Sequence, residues 1–322
     1  VLSNYELSFR PIARKFARSL VTSYGVWEVR EAIILRLTDT TGKTGWGEIA
    51  PISWFGSETL EEALDFCRQL PKTITEERIF SIPDDLPACQ FGFESALEEM
   101  GSGEDVTITN AQFSALLPAG EAALHQWRGL WEEGYRTFKW KIGVGEIAQE
   151  LKIFDSLIKS LPASAKLRLD ANGGLSYQEA NSWLQACDNS PIAIEFMEQP
   201  LPVEQFSQML ELSEAYTTAI ALDESVATLK QLAACYAQGW REVFVIKPAI
   251  AGSPSRLRKF CQQHEIDAVF SSVFETAIAR QAALKLATEL SRYNRAVGFG
   301  VNHLFKEEEE NWQDNFSFHQ TE

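Results

Sequence analysis

Lys166-Leu167-Arg168-Leu169-Asp170-Ala171-Asn172-Gly173, an amphipathic stretch over 177–187, and Ile194-Glu195-Phe196-Met197-Glu198-Gln199-Pro200 read as one strand–helix–strand unit. Each short apolar run ends in a carboxylate and then in turn-forming residues, and helical spacing fills the interval. That is the pattern of a parallel βα unit. The unit repeats in both directions. Strands are expected at 111–117, 137–142, 166–170, 194–198, 219–223, 243–247, 267–271 and 296–299, with helices such as 147–160 between most of them. From Lys139 through Asp170, Glu198, Asp223 and Lys247 to Ser271, the steps are 31, 28, 25, 24 and 24 residues. Such steps and about eight strands point to an α/β closed barrel, with a doubly wound open sheet as the structural alternative.

The first hundred residues follow another rule. Residues 29–39 alternate as a strand, Thr41-Gly42 turns the chain, and Thr44-Gly45-Trp46-Gly47-Glu48-Ile49 supplies the hairpin partner. Thr59-x-x-Glu62 has the form of a capping box opening a helix. Gly101-Ser102-Gly103-Glu104-Asp105 is a polar, glycine-bearing break and marks the expected domain boundary.

Composition narrows the function. The 322 residues are 45% hydrophobic and 23% charged, ordinary globular values, and the length predicts about two domains. Acidic residues outnumber basic ones 45 to 29, a net charge of −16 that disfavours nucleic acid and anionic lipid surfaces as partners. A small anionic substrate stays possible, because a local cation reverses the field inside one pocket. Five scattered cysteines without a Cys-x-x-Cys pair, and four histidines never spaced as zinc ligands, fit a reducing cytoplasm. No apolar run has spanning length, and Val1–Glu6 carries neither the basic start nor the apolar core of a secretion signal.

Two motifs imitate nucleotide sites. Gly143-Val144-Gly145-Glu146-Ile147-Ala148 follows a strand and opens a helix, but it lies deep in the chain behind a strand with two lysines, so a plain βα turn is the expectation. Gly42-Lys43-Thr44 lacks the upstream glycine of a phosphate loop and reads as a hairpin turn. The run Glu307–Glu310 reads as a solvated acidic face.

Asp170, Glu198 and Asp223 end three successive strands, the edge that forms the active-site rim of a βα barrel. Any one of them could merely cap the next helix. Three together repel one another strongly unless a cation joins them, and an all-oxygen set favours Mg²⁺. Lys139-Trp140-Lys141 puts two lysines on one strand face. Alone, that pair could simply face solvent; in a barrel, Trp140 suits the helix-covered outside and the lysines point inward. Lys247 closes an apolar strand beyond the acidic trio. A neutral lysine can abstract a proton, and cationic neighbours lower its pKa.

Lys-x-Lys, Asp-Ala-Asn-Gly, Glu-Gln-Pro, Asp-Glu-Ser and Ile-Lys-Pro, in this order, resemble the muconate-lactonizing-enzyme subgroup of the enolase superfamily. The resemblance runs from Arg30-Glu31 and Gly45-Trp46-Gly47-Glu48-Ile49-Ala50-Pro51 to Gly298-Phe299-Gly300. It implies a modified (β/α)7β TIM-like barrel over 105–300 under an α+β capping domain of 1–104, rejoined by the tail 301–322. Within the subgroup the sequence most resembles the o-succinylbenzoate synthases, hydro-lyases of menaquinone and phylloquinone biosynthesis. The resemblance then implies Asp170, Glu198 and Asp223 as Mg²⁺ ligands, Lys141 as the base, Lys139 as the tuner of Lys141 and Lys247 as the cation on the opposite face. Arg168, Asn172, Ser271 and Ser272 would meet the substrate, Glu224 would support the ligands from behind, and 16–27 would form a capping loop. Racemases of N-succinylamino acids, muconate cycloisomerases and dipeptide epimerases share the core residues; the last usually carry an acidic pair that Gly298–Leu304 lacks. A barrel kept for binding without catalysis is the rival of another class. Oligomeric state is left open.

Overall fold

The computed structural model describes residues 3–22, 25–101, 107, 109, 112–301 and 304–306. Its N-terminal part is a four-stranded antiparallel sheet of order β3-β2-β1-β4, with β1 Asn4–Thr22, β2 Gly25–Asp39, β3 Thr44–Ile49 and β4 Thr73–Thr75. The β2–β3 turn forms as read: Asp39 Oδ1 accepts from Thr41 N at 2.8 Å and Lys43 N at 2.9 Å, and Gly42 takes a φ of +89°. Thr59 and Glu62 form the reciprocal capping box at the start of helix Leu60–Gln69.

Helix Pro87–Gly101 lies against β3 at a distance only glycine allows. A Cβ built on Gly47 would stand 2.0 Å from Gly92 O, and one on Gly45 would stand 2.0 Å from Ala96 O. Both atoms are backbone, so neither can swing aside. Gly47→Ala should therefore cost at least about 2 kcal/mol, the range of overpacked cores. The measurement is the denaturant midpoint at unchanged slope; an unmoved midpoint would refute the close approach.

The second part is a seven-stranded parallel sheet of order β11-β10-β9-β8-β7-β6-β5. Its strands are β5 Ser114–Leu117, β6 Thr137–Lys141, β7 Lys166–Asp170, β8 Ala193–Glu198, β9 Ile220–Leu222, β10 Val243–Ile246 and β11 Asp267–Phe270. The eighth expected strand is reduced to two bridges, Phe113 with Val297 and Ser271 with Gly298. Those bridges still join the two edges: Ser114 N donates to Val297 O at 2.9 Å, and Gly298 N donates to Phe270 O at 2.8 Å. The open doubly wound alternative falls. Side-chain parity follows the strand period. Trp140 points outward onto Trp183 of helix Tyr177–Asp188, ring centroids 6.1 Å apart, while Phe196, Ala221, Val243, Val245 and Val269 fill the barrel interior as their own small cluster.

Two buried charges fasten the sheet to the barrel. Arg30 donates to Ala50 O and Pro51 O beside it and to Val273 O across the interface at 2.9 Å. Glu48 accepts from Thr276 N at 2.9 Å, Thr276 Oγ1 at 2.6 Å and Ala279 N at 3.3 Å, capping helix Ala277–Leu290. Phe16 bridges to Phe305, so the chain beyond the barrel returns to β1. Glu307–Glu310 lies outside the described residues. Among those described, no helix is long and apolar enough to cross a membrane.

One sequence expectation changes and another holds. Residues 16–22, expected as part of a capping loop, belong to the long β1 strand, whose hairpin with β2 pairs Leu20 with Trp27 and Thr22 with Gly25. The Gly143–Gly145 segment is a filled turn: the amides of Gly143, Val144 and Gly145 donate to the Glu150 carboxylate at 2.8, 3.0 and 3.0 Å. A side chain already occupies the place a phosphate would need.

Candidate active site

A cavity of about 420 Å³ opens at the C-terminal ends of the barrel strands. Its floor carries Lys139, Lys141, Asp170, Asn172, Asp223, Glu224 and Lys247, and its walls include Ser271, Ser272 and Gly298. The N-terminal sheet supplies the roof through Leu20, Val21, Thr22, Trp54 and Phe55.

Strand register builds the acidic centre. Lys141 lies beside Asp170 and Asp170 beside Glu198 across β6, β7 and β8. Lys139 Nζ sits 2.7 Å from both Asp170 Oδ2 and Glu198 Oε1. Lys247 Nζ meets Asp223 Oδ1, and its ammonium stands 4.1 Å from the centre of the Phe55 ring. Lys141 and Lys247 thus approach the cavity from β6 and from the end of β10, with the three carboxylate-bearing strands between them.

Electrostatics follow from burial. Desolvation first, then Asp170, raises the Glu198 pKa well above the usual carboxylate range; desolvation likewise raises Asp223, partly offset by Lys247. Burial works against the Lys139 ammonium, but Asp170, Glu198 and Asp223 outweigh it and raise its pKa. Among the described residues, Glu224 Oε2 is buried without a hydrogen-bond partner. Its other oxygen accepts from Asn172 Nδ2 at 3.3 Å.

Among the described residues no three ligating groups already converge on one point, because Lys139 lies between two of the carboxylates. The donor set nonetheless fits a hard divalent cation: three oxygen-only side chains on adjacent strand ends, two of them disfavoured as bare anions by burial, beside an orphaned carboxylate oxygen. Among the described residues, no imidazole or thiol lines the cavity.

One expected contact is corrected. Arg168 is only 2% exposed and does not line the cavity. It donates from Nε to Glu195 Oε2 at 2.7 Å and from Nη2 to Ala296 O at 2.8 Å. It shares the strand parity of Asp170, but two residues before the strand end it stands one layer below the floor. Ser271 donates weakly to Gly298 O at 3.4 Å, and Ser272 Oγ donates to Glu275 at 2.8 Å while accepting from Phe274 N at 2.9 Å.

Two contributors escaped the sequence reading. Gln199 is wholly buried with a φ of +37°. Its Oε1 accepts from Asp223 N at 3.0 Å and Ser225 N at 3.2 Å, and its Nε2 donates to Ser225 Oγ at 2.8 Å. The residue next to one carboxylate thereby fixes the turn of another. Phe55 was hidden because it belongs to the far end of the chain, on the single turn Ser53–Phe55.

Comparison with known proteins agrees with this geometry. Residues 122–320 match the enolase C-terminal domain-like family, and residues 17–100 match the MenC N-terminal domain. The o-succinylbenzoate synthase of Thermosynechococcus vestitus is 43% identical over 288 residues, 88% of each chain. The chain belongs to the o-succinylbenzoate synthase family of the enolase superfamily. A crystal structure of the o-succinylbenzoate synthase from Thermosynechococcus elongatus BP-1, complexed with Mg in its active site, superposes with a TM-score of 0.88 at 40% identity, covering 94% of both chains. The L-Ala-D/L-Glu epimerase of Bacillus subtilis is 25% identical over 312 residues, 88% of this chain and 84% of its own. The o-succinylbenzoate synthase family therefore shares its scaffold with enzymes named for other reactions.

Proposed function

We propose that this chain catalyses the Mg²⁺-dependent dehydration of 2-succinyl-6-hydroxy-2,4-cyclohexadiene-1-carboxylate to 2-succinylbenzoate, in menaquinone or phylloquinone biosynthesis. The observation that carries the reading is the pair of lysines facing one cavity from opposite sides of three adjacent carboxylates. We assign Asp170, Glu198 and Asp223 as the residues that would hold Mg²⁺. When bound, the metal supplies a Lewis acid that lowers the cost of negative charge on the substrate carboxylate.

The remaining chemistry belongs to side chains. Lys141, in its neutral form, takes the proton from the ring carbon bearing the carboxylate. The electron pair left behind spreads onto the carboxylate, and the Lys247 ammonium stabilises that charge from the opposite face. Protonated Lys141 then returns the proton to the departing hydroxyl, which leaves as water while the ring becomes aromatic. Lys139, held between Asp170 and Glu198, fixes the local charge around Lys141. Asn172 and Glu224 hold the Asp170 and Asp223 turns in register. Leu20, Val21 and Trp54 exclude water from above. We place the enzyme in the cytoplasm, on five buried thiols of which all are free.

The test is direct. Purified protein with Mg²⁺ should convert the cyclohexadiene carboxylate to 2-succinylbenzoate, followed by absorbance and by product mass. A wild-type protein that instead racemises N-succinylamino acids and leaves this substrate untouched would overturn the assignment.

A further inference from the structure

The roof meets a charged atom of the floor. Phe55, on the turn Ser53–Phe55 of the N-terminal sheet, presents its ring to Lys247 Nζ at 4.1 Å. That distance lies well inside the range of a cation–π contact, and the lysine side chain is only 12% exposed, so water screens it little. The ring is itself held from behind. Trp54 packs edge-on against Phe55 at 6.0 Å, Trp27 of β2 against Trp54 at 5.5 Å, and Phe274, beyond β11, against Trp27 at 5.5 Å. Phe16 of β1 closes the group against Trp27 and Phe274. Gly56, with a φ of +123°, ends the turn against Ala227, close behind Asp223. The turn is thereby anchored both to the hairpin and to the loop that carries the partner of Lys247.

We propose that Phe55 is the positioning residue of Lys247: its ring face, braced by Trp54 and Trp27, holds the ammonium at the height where it meets the charge developing on the substrate. Asp223 alone fixes one direction of the lysine; the ring fixes the second. The N-terminal sheet thus sets the reach of a barrel cation, beyond merely covering the pocket. The proposal rests on the role given to Lys247 above.

The electrostatic character of the contact gives it a test that packing would not pass. Phe55 is replaced, by incorporation of unnatural residues, with 4-fluoro-, 3,5-difluoro- and 3,4,5-trifluorophenylalanine, rings of nearly constant shape and falling electron density. Turnover of the cyclohexadiene carboxylate should drop stepwise along the series with KM changed less than about twofold, to about tenfold below wild type at the end, the size of a partly desolvated cation–π contact. Phe55→Tyr should restore near-normal kcat, and Phe55→Leu should not. A flat fluorine series, or a Phe55→Leu enzyme with wild-type kcat, overturns the proposal. The contact itself is read without catalysis. With ¹³C-labelled lysine, the ε-methylene signal that disappears in Lys247→Arg should be shifted upfield by the Phe55 ring, and should return to the ordinary lysine position in Phe55→Leu. An unshifted signal in the wild type refutes the contact even in a protein that fails to turn over this substrate, so the two readings fail separately.

Discussion

Lys141→Ala is expected to lower kcat by about a thousandfold or more while the protein stays folded, because removing a positioned general base forfeits a factor in this range. The neighbouring lysine cannot take over. Lys139 shares the strand face but has its ammonium fixed at 2.7 Å from both Asp170 and Glu198, deeper in the barrel. Lys141, two residues nearer the rim, lines the cavity where the substrate ring has to sit. The same variant should also lose exchange of the abstractable proton with deuterium in the solvent. Far-UV circular dichroism matching the wild type would separate the chemical loss from misfolding. Undiminished turnover in Lys141→Ala would remove this residue from the mechanism and shift attention to the opposite side of the cavity.

Glu198→Gln should be nearly as severe, by another route. The side chain keeps its shape and loses the charge that a divalent cation requires. Magnesium affinity, measured by calorimetric titration, should fall by at least about 100-fold, beyond the loss typical of residues that only support a metal ligand. Activity should vanish at ordinary Mg²⁺ concentrations. Stability should change little or rise, because Glu198 is 2% exposed and its charge is disfavoured by burial when no cation is present. Retained Mg²⁺ affinity would mean that Glu198 belongs to the Lys139 pair alone.

The sequence carried the chemistry further than it carried the shape. Lys139-Trp140-Lys141 announces its inward and outward faces because strand parity is a local property, and Trp140 against Trp183 realises it. Asp170, Glu198 and Asp223 could be placed together because each ends an apolar run. Height along the barrel axis is not encoded in parity, which is why Arg168 turned out to pair with Glu195 beneath the floor. β1 was missed for a related reason. Arg10, Arg14, Lys15 and Arg18 interrupt its apolar residues, and the strand is specified by fourteen pairings to β2 that no local pattern reveals. The eighth strand differs the other way: among the described residues, an apolar stretch suited to extended structure forms two isolated bridges, enough to join two edges. Gln199 and Phe55 owe their importance to partners distant in the chain, Asp223 in one case and Lys247 in the other.

The closing bridges have a consequence for how the molecule is made. Ser114 and Val297, which meet where the ring joins, are 183 positions apart in the chain. Arg30 waits for Val273 and Glu48 for Thr276, each well over two hundred positions further on. The antiparallel sheet and its glycine-packed helix can assemble from early, local contacts, but their two buried charges gain their barrel partners only after residues 273 to 279 have left the ribosome. Contacts of this separation are slow to form, because the closure entropy falls due before they stabilise anything. The cavity is therefore completed late, since its lining runs from Leu20 to Leu304. A nascent chain holds all three lysines and all three carboxylates only once Lys247 has been added, about three quarters of the way along, and they become a site only after the residues that close the ring have followed.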